Sequence, residues 1–300
     1  MARWPSARRA LAALANEAKR ALDGLDDGVY GGEYFGLGRN ATDRAFLSGY
    51  ERYDRDTSNA NIAAYLVWNT FPVKRTLDVG CATGFVVEAL RELGFDAQGV
   101  DVSQYAIDHP ALGATGYLRR ADLRQGLPFA DGQFELVTAL ETLEHLDPAD
   151  VPKAVAELSR VTSAYALVTI PSFGHNRNGP GGWYQAKVRD ERIAYYESLG
   201  PDFEGPIPYL DLYRDIRGRP IEGHLTVASF GWWTDRFAEA GLERSDSTEQ
   251  RLHPDLARFG LTKYWNIYVF RRPDVADPQP AVRSAQEQAD LQGRWQLDQR

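Results

Sequence analysis

The sequence predicts an α/β fold in which a mostly parallel β-sheet carries helices on both faces. The segment Thr76–Gly84 reads T-L-D-V-G-C-A-T-G, and it passes from an apolar strand through a glycine turn into the helical pattern Phe85–Leu93. Short apolar segments then alternate with helical ones as far as residue 170. Such alternation is typical of parallel sheets, because parallel strands need a crossover connection that is usually a helix. Ligands of such sheets bind at the carboxyl ends of the strands.

Six short apolar segments are predicted as strands, because glycine, proline or acidic residues bound them. They are Leu77–Val79, Ala97–Val100, Tyr117–Arg120, Phe134–Ala139, Tyr165–Ile170 and Asn266–Phe270. Acidic residues stand at or just beyond the ends of the first three. The sequence therefore places carboxylates where a ligand would bind.

Four helices are predicted from apolar residues that recur every three or four positions and from signals at their ends. They are Phe85–Leu93 before Gly94, Ser103–Ile107, a helix that buries Val151, Val155 and Leu158, and Trp232–Ala240 before Gly241. The third helix can begin after Asp147 or after Asp150. Pro152 favours the later start, since proline deeper in a helix would break it.

The chain is predicted to contain an N-terminal helical and aromatic cap (residues 1–70), a main domain (71–272) and a disordered tail (273–300). Apolar residues at helical spacing between Leu11 and Leu22 support the cap, and the tail is rich in proline, glutamine and charged residues. Residues 172–224 are too long for an ordinary connection and are rich in aromatic side chains. We expect them to form an inserted lid, with a structural embellishment or a dimer arm as the alternative.

Composition limits the partners of this chain. The 300 residues carry a formal net charge of −8, which argues against a nucleic-acid partner because phosphate contacts dominate nucleic-acid affinity. No apolar run approaches membrane-spanning length, and we find no secretory signal, so we expect a cytoplasmic protein without membrane contact. The single cysteine, Cys81, excludes an intramolecular disulfide and a multi-cysteine zinc site. We expect a small-molecule partner, and a homodimer is compatible with the sequence.

The glycine turn indicates which ligand it binds. Gly80, Ala82 and Gly84 are separated by one residue each, whereas a dinucleotide site requires the pattern G-x-G-x-x-G. Asp78 lies two residues before the first glycine, where its carboxylate would repel a pyrophosphate. The same carboxylate suits a cationic or amino-acid-bearing ligand.

The run D-V-G-C-A-T-G resembles motif I of the class I S-adenosylmethionine (SAM)-dependent methyltransferases, with Ala82 where that family has a glycine. The resemblance extends over roughly residues 77–272. It implies a Rossmann-like sheet of seven strands, the last one antiparallel, and SAM as the cofactor. Asp78, Gly80, Cys81, Ala82 and Gly84 are then expected to contact SAM. A dinucleotide oxidoreductase is disfavoured by the glycine spacing.

Two further strand ends complete the predicted SAM site. Asp101 lies 23 positions after Asp78, and with Val102 beside it we expect its carboxylate to accept both ribose hydroxyls. A helix N-cap is the alternative role of Asp101. The resemblance implies that Asp122 meets the adenine amino group and that the backbone N–H of Leu123 meets a ring nitrogen; a solvated turn is the alternative.

The residues predicted for catalysis follow the fourth strand, in the run E-T-L-E-H-L. Glu141, Glu144 and His145 have a spacing that would place them on one face of a helical turn. The run resembles the post-motif II segment of the ubiquinone-biosynthesis O-methyltransferases and the E-x-x-E-H element of small-RNA 2′-O-methyltransferases. In those families this element can hold a divalent cation, completed by a further histidine. The resemblance thus implies a site for Mg²⁺ or Mn²⁺ on Glu141, Glu144, His145 and His224.

Two alternatives to a metal stay open at this point. His145 can act as a general base that takes the proton of an acceptor hydroxyl, or Glu144 and His145 can pair with each other in a structural role. Glu141 is also a candidate SAM contact, and His175 is a second candidate for the base or the extra ligand. We slightly favour His145 as the base.

The expected activity is SAM-dependent O-methylation of a polar small molecule or glycan, with a sugar hydroxyl favoured. Aromatic residues of the predicted lid, together with Trp232 and Trp233, offer flat surfaces on which a sugar or an aromatic ring could stack. Two other functions are kept as alternatives. One is a small-RNA 2′-O-methyltransferase, and the other is a non-catalytic SAM-binding regulatory or assembly protein.

Overall fold

A computed structural model describes residues 30, 31, 35, 52–179, 195, 198–200, 202–207, 224–261, 266–279 and 283–297. The predicted N-terminal helix and most of the predicted lid lie outside these residues, so both stay predictions. Within the described part of the chain, no helix is both long and apolar enough to cross a lipid bilayer.

The described residues form seven α-helices and nine β-strands. The helices are α1 (Ala60–Thr70), α2 (Phe85–Glu92), α3 (Gln104–Asp108), α4 (Val151–Val161), α5 (Phe230–Glu239), α6 (Asp246–Arg258) and α7 (Ala285–Trp295). The strands are β1 (Arg75–Val79), β2 (Asp96–Asp101), β3 (Leu118–Arg120), β4 (Phe134–Leu140), β5 (Thr162–Thr169), β6 (Ser172–Phe173), β7 (Ala228–Ser229), β8 (Glu243–Arg244) and β9 (Ile267–Arg271).

Seven of these strands form one sheet in the order β3-β2-β1-β4-β5-β9-β8. Strands β1 to β5 pair in parallel, and β9 pairs antiparallel with both β5 and β8. The predicted fold, a mostly parallel sheet with helices, is therefore confirmed, including the antiparallel last strand. The six predicted strands form within three residues of their predicted ends, whereas β6, β7 and β8 were not predicted.

Both faces of the sheet are buried under helices. Neighbouring side chains on a strand point to opposite faces, so Leu136 and Val137 of β4 join different cores. Leu136 packs in the cluster formed with α1, α2, α6 and α7, and Val137 packs in the cluster formed with α4 and α5. A sheet covered in this way exposes its carboxyl edge, where the loops after the strands meet.

Helix α4 begins at the later of its two predicted starts. Its first residue is Val151, and Pro152 lies in the first turn, where the missing N–H would have no intrahelical partner in any case. Asp150 precedes the helix as its N-cap residue, although its side chain makes no capping hydrogen bond.

The predicted disorder of residues 273–300 is wrong for the residues that the structure describes. Helix α7 begins with a capping box in which Ser284 and Glu287 each satisfy the other's backbone N–H. Leu291 and Trp295, four residues apart, are buried against α1, and the Gln292 amide donates to the Tyr65 hydroxyl at 2.8 Å. A few apolar residues at helical spacing are sufficient here, because α1 provides the surface that covers them.

Candidate active site

The glycine turn after β1 folds back on the end of β2. The backbone N–H groups of Gly80 and Cys81 both donate to the Val100 carbonyl, at 2.8 and 3.0 Å. Gly80, Ala82 and Gly84 have φ of 75°, 48° and 87°, in the left-handed region that favours glycine. A Cβ atom on Gly80 would overlap the side chain of Thr142. The predicted turn is thus formed, and Ala82 adopts the glycine-like conformation in spite of its methyl group.

Asp78 is buried at the end of β1, with only 4% of its surface exposed. The pKa of this carboxyl is raised to about 7, mainly because the group is buried. The nearby Asp101 also raises the pKa, whereas the hydrogen bond that the carboxyl accepts from the Thr138 hydroxyl at 2.6 Å lowers it. A buried carboxyl with few donors around it is stabilised as an anion by a cation. Binding of a cationic ligand by Asp78 stays a prediction, and burial of the carboxyl is the observation that supports it.

Asp101 ends β2 and connects the glycine turn to helix α3. Its two carboxylate oxygens accept from the backbone N–H groups of Ala82 and Ser103, both at 2.8 Å. The N-cap of α3 is Ser103, whose hydroxyl accepts from the Ala106 N–H at 3.0 Å. The alternative role of Asp101 as the N-cap residue is therefore not observed, and ribose binding by Asp101 stays a prediction. Burial raises the pKa of Asp101, and its backbone hydrogen bonds lower it.

The strand end predicted to meet adenine lies after β3. Asp122 is buried and forms an ion pair with Arg124, whose Nη2 lies 2.8 Å from Oδ2. Leu123 is buried in the core on the α4 side of the sheet, and Val102 is half-buried. An adenine amino group would therefore meet a carboxylate that already has a cationic partner, and adenine binding here stays a prediction.

The segment after β4 corrects one sequence-based expectation. Glu141, Glu144 and His145 do not share one helical turn, because Glu141 has a left-handed φ of 52° and only Leu143–His145 form a short 3₁₀ turn. The Glu141 N–H remains tied to the end of β5, where it donates to the carbonyl and the hydroxyl of Thr169 at 3.0 Å. Its carboxylate accepts from the Asn266 amide at 2.9 Å. Glu141 is thus oriented by the sheet rather than by a helix.

Glu144, His145 and His224 form a cluster, in which one potential ligand atom from each lies within 4.8 Å of the others. The Glu144 Oε1 and His145 Nε2 atoms are 3.9 Å apart, and the two imidazole rings meet edge to face with centroids 5.3 Å apart. Thr226 holds the two segments together, since its N–H donates to the Glu144 carbonyl at 2.9 Å and its hydroxyl donates to the Leu146 carbonyl at 2.7 Å. Glu141, the fourth predicted metal ligand, is not part of this cluster.

A cavity of about 320 Å³ connects this cluster to the glycine turn. Asp78 and Gly80 line one part of it, and Glu141, Glu144, His145 and His224 line another. Asn266, which the sequence did not single out, also lines it. Among the residues that the structure describes, the Asn266 Oδ1 atom is buried and has no hydrogen-bond partner. No motif marks Asn266, because its position depends on the return of β9 alongside β5.

The other sequence candidates lie elsewhere. His175 is exposed and does not line this cavity. Trp233 is fully buried in the core beneath α5, and Trp232 is partly buried against the same core. The flat surfaces predicted for these two tryptophans are therefore used in packing.

The donor set of the cavity fits SAM, the cofactor that the resemblance implies. A cationic amino-acid group would be stabilised by the buried carboxyl of Asp78, and close approach of a ligand is possible where Gly80 has no Cβ. The Asp101 carboxylate stands at the neighbouring strand end, outside the residues that line this cavity, and ribose binding there stays a prediction. The cluster of Glu144, His145 and His224 lies in the same cavity, where a proton acceptor would face a second substrate.

Comparison with known proteins supports this assignment. Residues 77–168 match the family described as a methyltransferase domain. Over 201 residues, the chain is 33% identical to the ubiquinone biosynthesis O-methyltransferase of Pseudomonas aeruginosa. This alignment covers 65% of this chain and 72% of that protein. Over 172 residues, it is 30% identical to the enzyme of the same name from Pectobacterium atrosepticum. That alignment covers 55% of this chain and 69% of the relative.

Among solved structures, the magnesium protoporphyrin IX methyltransferase of Synechocystis with bound S-adenosylhomocysteine (SAH) aligns with a TM-score of 0.43 at 14% identity. The alignment covers 73% of this chain and 83% of that one. The sequence relatives carry the assignment, since one of them is 33% identical over 72% of its own length. The chain belongs to the class I SAM-dependent methyltransferases.

Proposed function

We propose that this methyltransferase is an O-methyltransferase that acts on a hydroxyl group of a small molecule. One observation carries the proposal: the cluster of Glu144, His145 and His224 lines the same cavity as Asp78 and Gly80 of the glycine turn. An oxygen acceptor must lose a proton for the reaction, and this cluster offers a proton acceptor beside the expected methyl donor. The two relatives described above are named O-methyltransferases, and these names support the same choice of acceptor atom.

The residues of the cavity divide the work of the reaction between them. When bound, SAM supplies an electrophilic methyl group on a positively charged sulfur. Asp78 binds the cationic amino-acid end, and His145 accepts the hydroxyl proton at Nε2 as general base. Glu144, whose carboxylate lies 3.9 Å from that nitrogen, stabilises the imidazolium that forms. Holding donor and acceptor together supplies much of the remaining rate enhancement.

A metal-dependent version of this site is the second candidate, and the composition of the cluster favours it. Glu144, His145 and His224 would hold the ion, which would supply a lowered pKa for the acceptor hydroxyl. One carboxylate with two imidazoles suits Mn²⁺ or Zn²⁺ better than Mg²⁺, which prefers oxygen ligands. Since Glu141 lies outside the cluster, the cluster offers only one of the two carboxylates that the predicted Mg²⁺ site would use.

Two classes of acceptor are proposed for the cavity. The sequence favours a sugar hydroxyl, on the basis of aromatic residues in 172–224 that lie largely outside the described residues. Aliphatic side chains of α1 and α6, with Leu261 and Ile267, line the cavity beside the polar cluster, and they favour a phenol or another acceptor with an apolar body. The relatives named for ubiquinone biosynthesis support the phenol.

Turnover assays with purified protein test the proposal. The full chain is mixed with SAM and with catechol, phenol or methyl glucoside, and SAH formation is measured. His145→Ala should lower turnover by about 100-fold to 10,000-fold, the usual contribution of a general base, while the protein still binds SAH, as measured by calorimetry. His175→Ala serves as the control, because His175 is exposed and does not line the cavity. Full turnover in His145→Ala would move the base to another residue.

Other outcomes of the same assays separate the alternatives. Loss of turnover in EDTA, restored by Mn²⁺ or Zn²⁺, would establish the metal-dependent version. SAH binding without turnover on any acceptor would favour a non-catalytic regulatory or assembly protein. A gel shift with single-stranded RNA, followed by methylation of that RNA, would favour the small-RNA 2′-O-methyltransferase function.

A further inference from the structure

Tyr30 contacts both Ser103, beside Asp101, and His145, although it is far from both in sequence. Its backbone carbonyl accepts from the Ser103 hydroxyl at 2.5 Å. Ser103 is fully buried, and its N–H donates to the Asp101 carboxylate at 2.8 Å. The main chain of Tyr30 is therefore held by the residue that also orients the predicted ribose-binding carboxylate.

The side chain of Tyr30 points toward the other half of the site. Its ring meets the His145 imidazole edge to face, with centroids 6.1 Å apart and an interplanar angle of 79°. The His224 ring also meets this imidazole edge to face, with centroids 5.3 Å apart. Two rings packed against one imidazole restrict its rotation, since each edge-to-face pair is favourable only in a narrow range of orientations.

A second aromatic residue near Tyr30 in the sequence packs against the glycine turn. Phe35 is buried, packs with Ala82 and Ala106, and stacks on Tyr105 with an interplanar angle of 8°. Tyr30 is a partly buried member of this cluster. Tyr30 and Phe35 thus both pack beside Ala82 of the turn that is expected to bind SAM, and Tyr30 also contacts the imidazole of His145.

We propose that Tyr30 is a positioning residue that couples the SAM site to the orientation of His145. A ligand that orders Asp101 and Ser103 also orders the main chain of Tyr30, and the Tyr30 ring then fixes the imidazole in the direction of the acceptor. The coupling uses the ring rather than the phenol hydroxyl, so phenylalanine preserves it. This inference rests on the proposed role of His145 as the base.

The experiment uses the full chain and SAH as the probe. The ring signals of isotope-labelled histidine are followed by NMR at constant pH in the presence of EDTA, and His145→Gln assigns the signal of interest. SAH should shift the His145 ring signals in the wild-type chain and in Tyr30→Phe. In Tyr30→Ala this shift should be largely lost, while SAH affinity falls by about tenfold at most, which is the equivalent of one edge-to-face ring contact.

A double-mutant cycle gives an independent readout of the same coupling. SAH affinity is measured for Tyr30→Leu, His145→Gln and their combination, and the two effects should be non-additive by about twofold to tenfold. Tyr30→Leu retains apolar volume if Tyr30→Ala fails to fold. Tyr117→Ala with His145→Gln is the matched control and should be additive, because Tyr117 is 39% exposed and its ring stacks on Arg91.

Three results would overturn the inference: an unchanged SAH-induced shift in Tyr30→Ala, an additive cycle, or loss of the shift in Tyr30→Phe. These outcomes are separable from failure of the proposed function. If His145→Ala retains full turnover, His145 is not the base, whether or not its ring responds to SAH through Tyr30.

Discussion

The two halves of the cavity are built in different ways. The half expected to bind SAM contains Asp78 and Gly80, and backbone N–H groups hold the glycine turn that follows Asp78 against the end of β2. The half expected to bind the acceptor combines segments that are distant in sequence. Thr226 is joined to Leu146 across 80 residues, and Asn266 is joined to Glu141 across 125 residues.

This difference shows what each half requires from the rest of the fold. A turn held by its own backbone depends on a few backbone conformations, which glycine permits. A cluster assembled from distant segments depends on the packing that brings those segments together. Substitutions in the first half should therefore change SAM affinity, together with stability where a new side chain overlaps its neighbours. Substitutions that loosen the packing around the second half should act mainly on global stability.

The largest expected effect concerns a buried ion pair between β8 and α6, the helix whose Leu256 lines the cavity. Arg244 and Glu249 form a buried ion pair at 2.8 Å, and the Arg244 guanidinium also donates to Asn176 at 2.9 Å. Arg244→Ala leaves the Glu249 carboxylate buried without its cation, which should lower the free energy of unfolding by about 3–5 kcal/mol. Urea denaturation measures the loss.

Arg177→Ala is the matched control for this prediction. Arg177 pairs with Asp246 at 2.7 Å in the same region, but both side chains are more than 40% exposed. Because exposed ion pairs contribute about 0–1 kcal/mol, this variant should unfold near the wild-type midpoint. Equal losses in Arg177→Ala and Arg244→Ala would mean that burial of the pair is not what makes it important.

The next effect breaks the SAM half. Gly80→Ala places a Cβ against Thr142 at a φ of 75°, so both steric overlap and backbone strain oppose it. We expect a loss of about 2–4 kcal/mol in stability, from roughly 1–2 kcal/mol of left-handed strain and a similar overpacking cost. SAH binding by calorimetry should fall with it.

Gly94→Ala isolates the strain component of that loss. Gly94 has a φ of 85°, and a Cβ there would meet no atom within 4 Å. This variant should lose only about 1–2 kcal/mol of stability, with unchanged SAH affinity in the folded protein. A weaker SAH affinity in Gly94→Ala would show that the SAM half is less self-contained than its contacts indicate.

The same difference between the halves explains what could be predicted from the sequence. Gly80, Ala82, Gly84 and Asp101 were identified because their function depends on local spacing. Asn266 was not, because only the folded chain brings it beside Glu141. The helical turn expected at Glu141 was wrong, since helical spacing cannot reveal that this residue leaves β4 with a left-handed φ.

Three helices, α1, α6 and α7, also escaped prediction, and for the last two the physical reason can be stated. Helix α6 contains Pro254, and α7 is mostly polar. Their stability depends on surfaces of α1 and of the sheet that the sequence pattern does not display, as tertiary packing supplies most helical stability.

The third prediction concerns the pH dependence of SAM binding. Burial raises the pKa of Asp78 to about 7, so the ligand-free carboxyl is largely protonated below that pH. A cationic ligand binds the ionised form and lowers this pKa, so affinity should rise with pH toward pH 7, by up to about tenfold per pH unit. Calorimetry between pH 5.5 and 7.5, about the range that brackets this pKa, measures it.

Asp78→Asn supplies the control for the pH experiment, because an amide does not titrate in this range. Its SAM affinity should be low and nearly independent of pH. The stability of the ligand-free protein carries the opposite sign. Since the folded state holds this proton more tightly than the unfolded state, stability from Asp78 should fall as pH rises from about 4 to 7. A pH-independent affinity in the wild-type chain would contradict the proposed contact with the cationic end of SAM.

The smallest expected effect concerns the wall of the acceptor half. Ser284 caps α7, which packs on α1, and α1 lines the cavity. Ser284→Ala should lower the free energy of unfolding by about 1 kcal/mol, measured by thermal denaturation, while SAH affinity stays the same. Ser284→Asp retains a capping oxygen and should restore stability. A drop in SAH affinity in Ser284→Ala would show that the stability of this wall influences SAM binding in the other half.

The docking of α7 on α1 has a consequence for the order in which the chain folds. Gln292 reaches Tyr65 across 227 residues, and Gln288 reaches Asn69 across 219. Contacts at such separations close very long loops and slow folding. During synthesis, which proceeds from the N-terminus, the side of helix α1 that packs against α7 stays uncovered until residues 283–297 have been made. The interval between those two events is when this protein presents an incomplete core to chaperones and proteases.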